Sequence, residues 1–394
     1  MRFRLAVFNT QPPHLFFGGV ERRIIETAKR LKSRADITIY SGTKAGFTEP
    51  AFIDGISFLP FYSTDKVFPL DDWFFNRSVS KNVDGIMADV YEAHLSSGYG
   101  LLRALRRHGS GAPFIHVIHG VLADEYEQAK KSEHRSVREI VANLFMQKLA
   151  KMEEETAKNA TAIVTVSRYS FEKIQEYYGV GSDKLHIVPN GVDTDKFKPA
   201  ENTAELKRRF GLDNAQVVLF VGSLIPRKGL FFLVEAAKKV ISQGINVKFV
   251  IVGDGPMKSQ LLASISKWNL SGNFKFLGSI SEDVLVAVYG CADVFVLPSI
   301  QEGQGIVLLE AQASGVPVVA FDVGGVKDVV RNGSTGFLVD CCDSSKLADA
   351  LLRLLSDKPL RERLGMQGRK FVMENYTWDL CAQKMLDIYN KVLH

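Results

Sequence analysis

One pattern constrains this chain more than any other, and it repeats along nearly the whole length. A short apolar run rich in β-branched residues ends at a loop bearing Gly, Pro or Ser, and a stretch with helical spacing of apolar residues follows. Residues 5–9, 37–40, 58–61, 90–94, 113–119, 162–167 and 185–188 read as strands. Residues 216–221, 247–252, 274–277, 294–297 and 316–320 restart the pattern in the second half. Strand and helix signals that alternate in this way build parallel sheets covered by helices, so the fold class is α/β. A polar stretch over 193–202, containing Pro199, separates the halves. The 394 residues suffice for two domains. We expect a Rossmann-like domain over 1–198 and a second over 199–376, both doubly wound and facing a cleft. In open parallel sheets ligands sit beyond the carboxyl ends of the strands, so the chemistry belongs to the loops.

The most informative loop is LPSIQEGQGIVLLE, residues 297–310. A strand ends at Pro298-Ser299, Gly303 and Gly305 turn the chain, and a helix begins. Such a junction points backbone N–H groups at an anion. Glu302 lies at the helix mouth and Glu310 about 10 Å further along the helix. Two carboxylates at that separation suit two hydroxyl-bearing parts of one ligand with phosphate between them, as in a sugar nucleotide. Arg227 and Lys228, between a strand and a helix, make a diphosphate clamp. Gly18 and Gly19 form a second phosphate candidate. They are not the full dinucleotide fingerprint, and the absence of a Walker A pattern excludes a P-loop kinase or ATPase.

His119 and His94 end neighbouring strands, where a histidine can hydrogen-bond a substrate or leaving group; His116 is expected to point into packing. Asp193-Thr194-Asp195 has the form of a Mg²⁺-holding Asp-x-Asp but reads as a turn cap, and with cations at the phosphate no metal is needed. Ser170 is expected to cap a helix over 171–178. The aromatic stretch 68–75 reads as irregular packing around an acceptor loop. Arg103, Arg106, Arg107 and His108 read as a solvated helix end.

Composition narrows the partners. The chain is 46% hydrophobic and 24% charged, ordinary for a globular protein. A net charge of +5 is too modest to argue for nucleic acid. The four cysteines, Cys291, Cys341, Cys342 and Cys381, lack zinc-ligand spacing and read as reduced thiols of a cytoplasmic protein. No apolar run approaches the ~18 residues of a membrane span, and the first apolar stretch suits a buried strand rather than a signal sequence.

Taken in order, GGVERRIIETAKRL (18–31), IHG (118–120), TVSRYS (165–170), VPNGVDTDKF (188–197), GSLIPRKG (222–229), VGDGP (252–256) and EGQGIVLLEAQASGVPVV (302–319) resemble a retaining glycosyltransferase of the GT-B fold, in sequence family four. The resemblance implies that Glu310 binds the ribose hydroxyls and Glu302 the donor-sugar hydroxyls. Backbone groups from Gly303 through Gln304, Gly305 and Ile306 to Val307 would meet sugar and phosphate. Lys228 would neutralise the diphosphate, with Gly222, Ser223 and Gly253 lining the donor site, and His119 would contact the sugar near the reacting carbon. It also implies that the helix over 377–394 returns to the first domain, which binds the acceptor. Ser223 replaces an arginine common in the family, a charge Arg227 supplies, and Gln304 replaces an aromatic residue.

The expected function is metal-independent transfer of a hexose from a UDP-, GDP- or ADP-sugar to a saccharide or lipid-linked hydroxyl acceptor. Peripheral contact with the inner membrane face goes with such an acceptor. A nucleotide-sugar epimerase and a non-catalytic sugar-nucleotide-binding subunit are the alternatives.

Overall fold

A computed structural model describes residues 2–16, 18–65, 70–130 and 137–394, and the strand signals resolve in it into two sheets. The first contains β1 (Phe3–Asn9), β2 (Ala35–Gly42), β3 (Ala51–Ile53), β4 (Ile56–Phe61), β5 (Val90–His94), β6 (Phe114–Ile118), β7 (Ala162–Thr165) and β8 (Leu185–Ile187). Their order across the sheet is β3-β4-β2-β1-β5-β6-β7-β8. Every pairing is parallel except the β3–β4 hairpin, in which Ile53 faces Ile56 across Asp54-Gly55. Both turn residues have positive φ, 54° and 83°, the backbone that Asp-Gly favours in a two-residue hairpin. The sequence reading misses β3 because it is only three residues long and partly or fully exposed.

The second sheet contains β9 (Gln216–Val221), β10 (Val247–Val252), β11 (Phe274–Gly278), β12 (Val294–Leu297), β13 (Val318–Phe321) and β14 (Gly336–Val339). Its order is β11-β10-β9-β12-β13-β14, all parallel. The chain therefore winds outward from β9 to one edge, returns to β12 beside β9, and winds to the other edge. That is a doubly wound sheet with its reversal between β9 and β12. Its strands read as continuous apolar runs because helices bury both faces; β12 is fully buried along all four residues.

The chain divides into two bodies, residues 1–190 with 378–394, and residues 191–377. The first ends ahead of residue 198 because the next residues join the second body: the Val192 N–H donates to Tyr376 O at 2.8 Å. Asp193 accepts from the N–H groups of Asp195 and Lys196 at 3.1 and 3.0 Å, which makes it a turn cap. The helix Trp378–Leu393 belongs to the first body, where it packs on the helix Gly19–Leu31. Arg23, 1% exposed, ties that region together: Nη1 donates to Val188 O at 2.8 Å and Asn190 Oδ1 at 3.0 Å, and Nη2 meets Met385 Sδ at 3.3 Å.

Two local expectations need correction. Residues 70–75 are not irregular but open the helix Leu70–Asn82; Phe68 lies outside the described residues. Ser167, not Ser170, caps the next helix, because the Ser170 N–H donates to Ser167 Oγ at 3.1 Å and the helix spans Arg168–Tyr178. Among the described residues no helix is long and apolar enough to cross a membrane.

Candidate active site

At the β9/β12 reversal the loops following the two strands lie side by side. The β9 loop ends in a short turn, Pro226–Lys228, and Gly229 then takes φ 63°. A Cβ on Gly229 would fall 1.9 Å from Pro298 O, so only glycine lets the loops meet here. The Ile300 N–H donates to Arg227 O at 2.8 Å, and Arg227 Nη1 to Gln301 O at 3.4 Å. Gly229→Ala is expected to destabilise the fold by about 1–3 kcal/mol or more, since backbone must shift and a left-handed residue gains a side chain. A lowered thermal midpoint is the check, and an unchanged one would show that the loops are not held together at this contact.

These contacts bring Lys228 against Glu302. Nζ and Oε2 are 2.5 Å apart, and the side chains are only 11% and 12% exposed. Ser299 Oγ approaches the same oxygen at 3.4 Å. Burial alone would push the Glu302 carboxyl up. The charges of Lys228 and Arg227 and the hydrogen bonds from Lys228 and Ser299 outweigh it, and the carboxyl is held below its ordinary value. Two cations facing one carboxylate leave this loop pair net positive. The backbone of Glu302 is fixed as well, because its carbonyl accepts from the Gly325 N–H at 3.1 Å.

Beside the pair begins the helix Ile306–Ala313, whose N-terminus at Gly305 has no side-chain cap. Gly303, Ile306 and Val307 are partly exposed there, and Ser223 and Arg227 are exposed on the β9 loop. Gly222 and Gly253 touch through their backbones, closing the ends of β9 and β10: the Gly222 N–H donates to Val252 O at 3.0 Å. Gln304 and Glu310, both expected at a ligand, are each 2% exposed. Glu310 accepts from the Tyr289 hydroxyl at 2.8 Å, inside the second turn of the helix. Nothing in the sequence marked Tyr289, which sits on a different helix.

The first body holds a second cluster, at the ends of β5 and β6. His119 follows β6 directly, and its Nε2 lies 2.9 Å from His94 Nδ1. His94 Nε2 lies 2.9 Å from Glu92 Oε1. Glu92 Oε2 accepts from the Tyr389 hydroxyl at 2.5 Å. Burial, with His94, Arg23 and His116 nearby, pushes the His119 imidazole well below its usual range. Burial would raise the Glu92 carboxyl, but the bond and charge from His94, the Tyr389 hydroxyl and Arg23 hold it below its ordinary value. His116 points into packing, bonded to Leu95 O at 2.8 Å, and burial pushes it down to about 4.

Glu92 was missed in the sequence, although a carboxylate two residues before a strand-end histidine shares its face of the strand. Tyr389, almost three hundred residues away, left no such signal. At Gly18-Gly19 the start of the helix Gly19–Leu31 already carries a carboxyl: Glu21 packs against Gly18 and accepts from Asn9 Nδ2 at 3.3 Å. A phosphate there would have to displace it. Among the described residues no group of three or more His, Cys, Asp or Glu side chains is placed to hold a metal ion.

Two doubly wound α/β domains are the architecture of the GT-B class of glycosyltransferases. Sucrose-phosphate synthase from Thermosynechococcus elongatus has the same fold, with a TM-score of 0.85 at 20% identity over 99% of each chain. Residues 17–196 match the family described as Glycosyltransferase Family 4, and residues 202–371 match Glycosyl transferases group 1. The UDP-Gal:alpha-D-GlcNAc-diphosphoundecaprenol alpha-1,3-galactosyltransferase of Escherichia coli is 33% identical over 308 residues, 76% of this chain and 75% of that one. The chain belongs to the group 1, family 4 glycosyltransferases. The GDP-mannose-dependent alpha-(1-6)-phosphatidylinositol monomannoside mannosyltransferase of Mycobacterium tuberculosis is 35% identical over 238 residues, 58% of this chain; the match spans 62% of that enzyme's length.

Proposed function

We propose that this chain transfers a hexosyl group from a nucleotide-diphosphate sugar to a hydroxyl acceptor with retention at the anomeric carbon. The observation that carries the reading is the buried Lys228–Glu302 pair beside the uncapped N-terminus of the helix Ile306–Ala313. Without diphosphate, Glu302 holds Lys228. With diphosphate bound, Lys228 and Arg227 turn to the phosphate oxygens and Glu302 takes donor-sugar hydroxyls. Glu310, oriented by Tyr289, takes the ribose hydroxyls.

As the bond between the anomeric carbon and the phosphate oxygen breaks, negative charge collects on the diphosphate. Lys228 and Arg227, once turned to the phosphate, and the helix-end amides face the oxygens where it develops. The acceptor hydroxyl enters on the face the diphosphate leaves, and its proton passes to the departing phosphate oxygen. Two cations bring the charge that a divalent metal would otherwise bring, so the transfer is metal-independent. The second domain takes the donor and the first the acceptor. The named relatives use GDP-mannose and UDP-galactose and act on lipid-borne acceptors, which supports a glycolipid or envelope saccharide assembled at the inner membrane face.

A thermal-shift screen against UDP-, GDP- and ADP-hexoses tests the reading. One donor at 100 times its Kd is expected to add about 2.7 kcal/mol of stability, and nucleotide release with that donor should need an acceptor and persist in EDTA. No shift with any donor, or conversion of the donor to an epimer without acceptor, sinks it.

A further inference from the structure

We propose that Cys341 and Cys342 are a redox modification site. A small disulfide oxidant closes them to a vicinal disulfide, a ring through one peptide bond, and reduced glutathione reopens it. The site lies in the second body and does not depend on which donor or acceptor the protein uses.

The observation behind it is the turn between β14 and the helix Ser344–Ser356. The Asp343 N–H donates to Asp340 O at 3.3 Å, so Cys341 and Cys342 are the two central residues. Cys342 takes φ 65°, a left-handed backbone that a turn normally gives to glycine or asparagine. Glycine would adopt it without strain, so the turn alone does not call for cysteine. What cysteine adds is a second sulfur. Cys341 Sγ and Cys342 Sγ are 3.2 Å apart, within the roughly 3–3.5 Å at which two reacting atoms are poised for attack.

Access singles out this pair. Both side chains are exposed, whereas Cys291 and Cys381 are 0% and 2% exposed and out of reach of a dissolved oxidant. Lys346 pins the turn at both ends. Its N–H donates to Asp343 Oδ1 at 2.8 Å, and its ammonium pairs with Asp340. The turn is thus held while its two sulfurs face solvent.

Closure takes two thiol–disulfide exchanges. The Cys342 thiolate attacks one sulfur of the oxidant, RSSR, and RS⁻ leaves with the electron pair of the broken bond. Cys341 then gives up its proton, attacks Cys342 Sγ and expels the second RS⁻. Two thiols become one disulfide, and RSSR is reduced to two RSH. The order follows from Cys341, whose thiol is pushed up to about 12 by burial and then by the hydrogen bond and charge of Cys342. Once Cys342 is in the mixed disulfide, the latter two are gone and Cys341 ionises more readily. Neighbouring Cα atoms lie about 3.8 Å apart across a trans peptide, closer than the roughly 4.4–6.8 Å of an ordinary bridge. The ring is therefore strained and easily reduced, which suits a bridge that forms under oxidation and is lost in a reducing compartment.

The test reads the sulfurs directly. The reduced full chain is held in oxidised glutathione and quenched with acid, and the mass of the tryptic peptide 332–346, which carries both cysteines, is measured. The peptide should lose two hydrogens and carry no glutathione, and about a tenfold excess of reduced glutathione should restore it. Cys341→Ser and Cys342→Gly each leave one thiol in the turn, and each should stop at a stable glutathione adduct. Glycine suits the left-handed position, so Cys342→Gly keeps the test open if Cys341→Ser disturbs the turn. A lasting glutathione adduct on the unaltered chain, a disulfide-linked dimer, no reaction, or a ring that excess reduced glutathione does not open overturns the proposal.

Discussion

Lys228→Ala is expected to lower kcat by roughly 10²–10³-fold, the effect of deleting one fixed donor aimed at developing charge. The loss should fall mainly on kcat, since the diphosphate carries more charge when it leaves than when it binds. Steady-state nucleotide release at saturating donor measures it. The same substitution also strands Glu302, which is only 12% exposed on its side chain and loses its closest partner. Breaking a fully buried pair costs about 3–5 kcal/mol, and the residual exposure here brings the cost to the lower end or below. A thermal melt is therefore needed beside the kinetics.

The double variant Lys228→Met with Glu302→Gln separates the two effects. It removes both charges, so stability should recover toward the unaltered chain while activity stays lost. If activity recovers with stability, the pair only supports the loops and the catalytic assignment falls. The pH sign follows from the depressed Glu302 carboxyl. It is held below the ordinary value, so the stability it contributes is present above the usual carboxylate range and is lost as pH falls through the folded value.

The second domain was more legible in the sequence than the first because of how each buries its strands. β9, β10 and β12 are apolar on both faces, and each ends abruptly at Gly or Pro, so their ranges were readable to the residue. The loops that follow carry Lys228 and Glu302, and a doubly wound order places those loops together without long-range information. β14 escaped because its four residues are mostly half-buried and carry no strong strand signal.

In the first domain, the polar groups that matter meet across large separations in sequence. Tyr389 reaches Glu92 only because the last helix returns. Residues 18–19 show the converse limit. A glycine pair before a helix announces an anion site, but the carboxylate that occupies it, Glu21, lies within the same motif. Spacing reveals where backbone N–H groups converge; which group fills that position is decided by packing.

Glu153 should make the stability of the first domain strongly pH-dependent. Burial pushes its carboxyl up to about 8, against the downward pull of the Tyr178 hydroxyl and the Leu122 N–H, with the Glu125 charge adding to the rise. Both of those hydrogen bonds, at 2.5 and 3.0 Å, fall on Oε1, and Oε2 is buried with no partner. The folded chain therefore holds a proton that the unfolded chain gives up near the ordinary carboxylate value. A raised folded-state value gives stability that is full below the unfolded pKa and is lost as pH rises toward about 8. Each tenfold gain in proton affinity on folding is worth about 1.4 kcal/mol, which sets a ceiling of roughly 5 kcal/mol. Rearrangement on ionisation brings the expected loss between about pH 5.5 and 8.5 to about 2–4 kcal/mol.

Glu153→Gln keeps an oxygen for both donors and carries no charge, so its denaturant midpoint should stay flat over that range while that of the unaltered chain falls. Parallel curves for the two proteins would show that Glu153 is ionised in the folded state. The consequence reaches the acceptor side of the proposed reaction. Glu153 holds the first N–H of the helix Leu122–Lys130, and the Ala123 N–H donates to the same Tyr178 hydroxyl at 3.3 Å. That helix begins three residues after His119. Ionising Glu153 leaves an uncompensated buried charge behind the segment leading out of the histidine, and turnover should decline on the alkaline side in the unaltered chain before it does in Glu153→Gln.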